Sequence, residues 1–303
     1  MNHSIYLKDS GIYKKDNVFR YHSDNNRVSD QSTLLRLNSF RVPPAWEKVW
    51  YSSNKKCHVQ VHGVDQSGKK QYILSEEWIK NARYRKYNRM KLFMKDLNSF
   101  KKKIKLSNLE TSYENILKLL FNLLIETHIR VGNEKYVDTN GSYGLTTLRQ
   151  KHFVNDSFVF TGKSGVCHSV NIPNEYLPFL RKLKLPGGNK PLFWYLGGAT
   201  VKTITSSELN DYLKKEMGKD YTCKDFRTYS ANVLFIKAFL KNSKILNSVK
   251  KIILKSIDDS AKELGHSRSI SRKSYISNNL LDYCIDSFDS AVKEAPSSLL
   301  SRA

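Results

Sequence analysis

The sequence predicts an α+β protein in which a small β-rich N-terminal domain precedes a larger, mainly α-helical one. Two observations carry this reading. Between His58 and Leu74 apolar and polar residues alternate around the turn Asp65-Gln-Ser-Gly68, the pattern of a half-buried hairpin. From Ile116 onward apolar residues recur at helical spacing, in runs longer than a strand. A chain of 303 residues suits two unequal domains and has apolar content for both cores.

Taken in order, residues 1–40 are polar, with a turn cluster at Asp24-Asn25-Asn26-Arg27 and no assignable element. Pro43 keeps Val42 out of helical geometry, so a short helix is predicted after Pro44 with Trp46 and Trp50 on one face. His58-Val-Gln-Val-His62 and Gln71-Tyr-Ile-Leu74 read as paired strands that complete an N-terminal domain over residues 1–78. His58 and His62 lie on one side of a strand, but no further ligand accompanies them, and they read as ordinary strand histidines. Residues 79–105 read as a basic linker or helix. There Lys80, Arg83, Arg85, Lys86, Arg89, Lys91, Lys95, Lys101, Lys102, Lys103 and Lys105 face only Asp96, with Tyr84 and Tyr87 among them. That imbalance exceeds what a solvated face needs and predicts phosphate contacts along a bound polymer.

The second domain, residues 106–303, opens on a capping box at Thr111-Ser-Tyr-Glu114. The core helix that follows ends near Gly132 and presents Arg130. Residues 144–148, 158–160 and 166–172 read as strands. The last two flank Gly162-Lys163-Ser164-Gly165, which places Lys163 at a hairpin tip. Helices are predicted at about 206–217, 225–241, 248–264 and after Ile270.

Lys and Arg total 51 against 28 Asp and Glu, a formal charge of +23, which points to a polyanionic partner. No apolar run is long enough to span a membrane, and the first residues lack a signal-peptide core. The expected location is therefore intracellular (cytoplasm, nucleus or nucleoid) or inside a virion. Cys57, Cys167, Cys223 and Cys284 form no C-x-x-C pair, so neither a disulfide framework nor a zinc site is expected. Pro186-Gly-Gly188 and Gly197-Gly198 lack P-loop spacing and read as turns. No cofactor or metal is predicted.

The chemistry concentrates in Leu264-Gly-His266 to Tyr275, where Arg268, Arg272 and Lys273 separate an imidazole from a phenol. Gly265 reads as the C-cap of one helix, and Ser267, Ser269 and Ser271 can cap another that carries Tyr275 in its early turns. A phenol suits attack on a phosphodiester when cationic donors surround the phosphate. Arg130 and Arg227 are the candidates for the non-bridging oxygens, because guanidinium forks match phosphate and stay charged. His266 can add a hydrogen bond. Lys163 can protonate the departing sugar oxygen, since desolvation eases proton release from an ammonium. Lys224 is a second ammonium beside Arg227.

The segments Arg130-Val-Gly-Asn-Glu-Lys-Tyr136, Ser142-Tyr-Gly-Leu-Thr-Thr-Leu148, Gly162-Lys163, Lys224-Asp-Phe-Arg-Thr-Tyr-Ser-Ala231 and Leu264-Gly-His266 with Tyr275 closely resemble type IB DNA topoisomerases. Pro43-Pro44-Ala45-Trp46 and Asp65-Gln-Ser-Gly-Lys-Lys-Gln-Tyr72 resemble the N-terminal signatures of the compact poxvirus and bacterial branch. The resemblance implies that Tyr275 forms a 3′-phosphotyrosyl bond, with Arg130, Lys163, Arg227 and His266 completing the site. It implies relaxation of supercoiled DNA by single-strand cleavage, strand rotation and religation, without ATP or metal. It further implies a monomer shaped as a C-shaped clamp that closes around duplex DNA, with Gln71 and Tyr72 at the DNA surface. Lys69 and Lys70 stand there where an arginine is common. The resemblance runs from about residue 41 to residue 275, while the segments before 41 and after about 285 match nothing. Two alternatives remain at this point. One is a tyrosine recombinase, which usually carries H-x-x-R where Lys224-Asp-Phe-Arg227 stands. The other is a non-catalytic basic DNA-binding protein.

Overall fold

In the computed structural model, which describes residues 10–303, strand pairing begins well before the predicted hairpin. β1 (Ile12–Lys15), β2 (Val18–Tyr21), β3 (Glu47–Tyr51), β4 (Val59–Val64) and β5 (Lys70–Leu74) form one antiparallel sheet in the order β2-β1-β3-β4-β5. α1 (Gln31–Ser39) starts at Asp30, whose carboxylate accepts the Thr33 N–H at 2.7 Å. Ile12, Phe19, Val28, Leu37, Tyr51 and Val61 make the core of this unit.

The helix predicted after Pro44 is instead strand β3. Val49-Trp50-Tyr51 is β-prone, and the edge of β4 pairs with Glu47, Trp50 and Tyr51 across an irregularity between Glu47 and Trp50. Trp50 lies opposite His62 and stacks on it at 5.1 Å. His58 stacks on Trp78 at 3.8 Å. The β4–β5 turn is set by Asp65, which accepts the N–H groups of Ser67 and Lys69 at 2.9 and 3.0 Å. Bonds from Ser67, Lys69 and Gln71 hold its carboxyl down at about 2.

α2 (Glu76–Lys103) is one continuous helix, and the chain divides into two compact units within it, between Lys86 and Tyr87. From Tyr87 onward α2 is a core helix. Met90, Phe93, Leu97 and Phe100 recur at helical spacing and are buried. Tyr87 is buried and donates to the Ile276 carbonyl at 2.7 Å, so it does not stand among exposed cations. Two of the eleven cations are neutralised internally, Arg89 by Asp225 at 2.7 Å and Lys103 by Glu216 at 3.0 Å. Asp96, the one carboxylate among them in sequence, is bound by Lys219 and Tyr221.

The second unit packs α3 (Tyr113–Thr127) and α2 against a three-stranded sheet of β6 (Phe153–Val154), β7 (Ser157–Thr161) and β8 (Cys167–Asn171). α3 is capped by Ser112 rather than Thr111. Residues 144–148 form a 3-10 turn, not a strand. The Leu145 and Thr146 N–H groups are spent on the carbonyls of Arg130 and Val131, and Thr147 Oγ1 accepts the Gly144 N–H. Next come α4 (Glu134–Asn140), α5 (Leu177–Lys182), the β9 (Tyr195–Gly197) and β10 (Thr200–Lys202) hairpin, and α6 (Ser206–Met217). α7 (Cys223–Asn242) and α8 (Val249–Glu263) pack together, and α9 (Arg268–Ser274), α10 (Asn278–Asp286), α11 (Phe288–Lys293) and α12 (Pro296–Ser301) finish the unit. The tail is structural, since Ala291, Leu299, Leu300 and Ala303 share a core with Phe235 and Phe239.

Candidate active site

Arg227 lies one turn into α7 and is only 7% exposed. Among the described residues no carboxylate forms an ion pair with it. Its Nη1 donates to the His128 carbonyl and its Nη2 to the Leu264 carbonyl, the C-cap residues of α3 and α8. Helix C-termini present unsatisfied carbonyls and partial negative charge, so a guanidinium between two of them is accommodated without an acid. Burial, reinforced by neighbouring Arg130, lowers its pKa to about 10, which still leaves it charged at neutral pH.

Two further donors of Arg227 meet His266, with Nη2 at 2.8 Å and Nε at 3.2 Å from Nε2. A guanidinium cannot accept, so Nε2 carries the lone pair and the ring proton sits on Nδ1, 3.3 Å from Ser271 Oγ. Burial, then the charges of Arg227 and Arg130, push the His266 pKa down to about 3. Its backbone is fixed by the end of α8. Gly265 takes the left-handed φ of +59° that closes the helix, and the His266 N–H reaches back to the Ala261 carbonyl at 2.8 Å.

Tyr275 stacks on His266, with ring centroids 4.4 Å apart, and the Arg227 guanidinium lies 6.0 Å from its ring. Ser267 caps α9 as expected, but Tyr275 stands at the C-terminal end of that helix, not in its early turns. The cause is local: the N–H groups of Tyr275 and Ile276 both bond to the Ser271 carbonyl, and the helix stops there. Asn232, fully buried on α7, donates to the Tyr275 carbonyl at 3.0 Å and accepts the Ser277 N–H at 2.9 Å. Sequence reasoning missed this residue. Its one signal was an amide in an otherwise apolar stretch of helix.

Arg130 follows the left-handed His128 that ends α3. Its loop is pinned by backbone packing: a Cβ on Gly144 would fall 2.5 Å from Gly132 Cα and 2.6 Å from the Arg130 carbonyl oxygen. Lys163 occupies the predicted tip between β7 and β8, exposed on a three-residue 3-10 turn. Arg130, Lys163 and Arg227 line one cleft, together with Tyr143, Phe160 and His168. Five candidate residues are thus joined, three around the cleft and two through the Arg227–His266–Tyr275 contacts. Lys224 is exposed at the start of α7, one helical turn before Arg227.

The other candidates lie in the first unit. Lys69, Lys70 and Tyr72 are exposed, with the Lys70 ammonium 5.9 Å from the Tyr72 ring. Gln71 is tied to Asp65 at 2.7 Å. Arg83 and Arg85 are exposed, Arg85 over the Trp78 ring at 4.9 Å, and Lys86 is half-buried. Among the described residues, no three His, Cys, Asp or Glu side chains converge as a metal site, and no helix is long and apolar enough to cross a membrane.

A phenol and an imidazole stand in contact with a guanidinium that lines a cleft with two further cations, a set of groups whose chemistry suits a phosphodiester. Comparison with known proteins gives the same class. Residues 75–297 match the family model of the eukaryotic DNA topoisomerase I catalytic core, and residues 18–65 match that of the bacterial DNA topoisomerase IB N-terminal domain. The chain is 32% identical over 292 residues to DNA topoisomerase 1B of Acanthamoeba polyphaga mimivirus, covering 90% of this chain and 87% of that protein. It is 26% identical over 297 residues to DNA topoisomerase 1B of vaccinia virus, covering 93% and 90%. The chain belongs to the type IB DNA topoisomerases. The matches begin before residue 41 and extend past 285, so both flanking segments fall largely within the family after all.

Proposed function

We propose that this topoisomerase relaxes supercoiled duplex DNA as a monomer, by a transesterification centred on Tyr275. The phenolic oxygen attacks a backbone phosphorus in line, forming a 3′-phosphotyrosyl bond and breaking the bond to the 5′-oxygen. The phenolic proton passes to solvent, and Lys163 delivers one to the departing 5′-oxygen. Arg130 and Arg227 offset the charge that builds on the non-bridging oxygens. His266 joins them once the phosphate draws Arg227 donors away from Nε2, because an adjacent anion favours a proton on that nitrogen. Rotation of the free strand and reversal of the chemistry reseal the duplex. The phosphotyrosine conserves the bond energy, so no ATP is needed. Lys224 from the second unit, and Lys69, Lys70, Gln71, Tyr72, Arg83, Arg85 and Lys86 from the first, supply backbone contacts.

The observation that supports this most strongly is the run of contacts from buried Arg227 through His266 to Tyr275, beside a cleft lined by Arg130 and Lys163. The test is relaxation of a supercoiled plasmid in EDTA, with covalent adduct measured on a denaturing gel. The native chain relaxes the plasmid and forms adduct, and Tyr275→Phe does neither. Relaxation by Tyr275→Phe, or loss of single-turnover cleavage in EDTA, contradicts the mechanism.

A further inference from the structure

His168 lies on β8, directly opposite Phe160 on β7, and the two rings stack at 5.0 Å with an interplanar angle of 14°. Its imidazole is gripped between two backbone segments. A Cβ on Gly162 would fall 2.7 Å from its Cδ2 and Nε2, and one on Gly265 would run into its Cε1 and lie 3.2 Å from Nδ1. Gly162 immediately precedes Lys163, and Gly265 immediately precedes His266. Backbone strain does not explain a glycine at 162, whose φ of −98° and ψ of −166° suit other residues. The space is taken by the His168 ring.

The two gripped segments are not equally secure. The Gly265–His266 corner is held by the helix-closing bonds of α8 and by Arg227. The tip of the β7–β8 hairpin closes on its own turn bonds, from Gly162 to the Val166 carbonyl and from Gly165 to the Gly162 carbonyl, and is tied to the rest of the unit at its base, where the Tyr143 N–H meets the Thr161 carbonyl. A ring wedged between a fixed corner and an exposed turn sets the position of the turn.

We infer that His168 is a positioning residue for Lys163, a spacer that holds the hairpin tip at a set distance from the Gly265–His266 corner. This rests on the proposed role of Lys163 as proton donor and deepens it. A displacement of about 1 Å in a catalytic group is enough to cost roughly 10²-fold in rate. An alanine at 168 leaves the gap unfilled and lets the tip drift.

The experiment compares single-turnover cleavage by the full chain and by His168→Ala, Lys163→Ala and the double variant. Two duplexes are used, one with the ordinary 5′-bridging oxygen and one with sulfur there, a leaving group that hardly needs a proton. His168→Ala is expected to slow the oxygen substrate by about 10–10²-fold and to recover largely on the sulfur substrate. In the Lys163→Ala background it is expected to cost almost nothing more. Equal slowing on both substrates, an undiminished cost without Lys163, or no slowing at all overturns the inference. Lys163→Ala alone judges the underlying reading. If it fails to recover on sulfur, the proton-donor role falls, and the double variant still decides whether His168 acts through Lys163.

Discussion

The α7–α8 corner and the β7–β8 turn each supply a cation to the same cleft, and they hold it in opposite ways. Arg227 is buried and donates to two helix-end carbonyls and an imidazole. Lys163 is exposed on a short turn. The difference matches the tasks assigned to them. A group that stabilises developing charge works best fixed in advance, because its reorganisation then costs nothing at the transition state. A group that hands over a proton must follow the departing oxygen and be recharged from solvent, which an exposed tip allows. The contrast also predicts different consequences for stability, since only Arg227 has structural partners to abandon.

The largest separation of the two regions is therefore expected from Arg227→Ala. It should lower cleavage by about 10²–10³-fold and also destabilise the fold, because the buried Leu264 carbonyl, at about 1–3 kcal/mol, and the part-buried His128 carbonyl lose their donor. Arg227→Lys should not restore either property, since an ammonium cannot span both carbonyls and Nε2 of His266. Thermal melts and single-turnover rates on the same preparations check both. Lys163→Ala should lose about 10²-fold or more in cleavage of ordinary DNA with an unchanged melting temperature. A large fall in stability there would mean that the turn is structural.

The first unit gives a smaller, purely electrostatic effect. If about 6–10 phosphates are contacted, affinity should fall on the order of 10³–10⁵-fold between 50 and 200 mM salt. Replacing Arg83, Arg85 and Lys86 together by Ala should flatten that slope while leaving cleavage within the bound complex near the native rate. A slope that does not change removes this stretch of α2 from the DNA interface. Salt titrations of equilibrium binding read the slope directly.

The smallest effect is on stability against pH. Burial, with Arg227 adding to it, lowers the His128 pKa from 6.5 to about 4; burial lowers His152 likewise, and His266 to about 3. The unfolded chain takes up protons near 6.5 while the folded one resists them, so stability is fully present above 6.5 and drains away as pH falls toward 4. The melting temperature should be flat from about pH 7 to 8 and decline below pH 6.5. A melting temperature that rises on acidification from 6.5 would contradict the burial of these rings.

What the sequence revealed and what it hid follow one physical rule. Side chains with fixed chemistry and local spacing were legible. Arg130, Lys163, Arg227, His266 and Tyr275 all stood out as candidates, as did the long amphipathic helices, whose 3.6-residue period is written into the chain. Choices made by distant partners were not legible. Residues 47–51 become a strand because β4 is there to pair with them, and residues 144–148 become a turn because the Arg130 loop claims their N–H groups. The supports of the site were hidden for the same reason. Arg227 is held by backbone carbonyls, Tyr275 by the amide of Asn232, and the Lys163 turn by a ring whose only trace in sequence is a pair of glycines. The basic stretch, readable as linker or helix, forms a helix, and its charges conceal in the sequence the apolar stripe of Met90, Phe93, Leu97 and Phe100.

The division of labour between the two regions is tested most directly by single-turnover cleavage with Lys163→Ala and Arg227→Ala on duplexes bearing oxygen or sulfur at the 5′-bridging position. Sulfur leaves without a proton but still requires charge stabilisation at the non-bridging oxygens. Lys163→Ala should therefore recover most of its lost rate on the sulfur substrate, while Arg227→Ala should remain slow on both. Recovery of both variants to the same degree, or of neither, would contradict the separation of proton delivery from charge stabilisation.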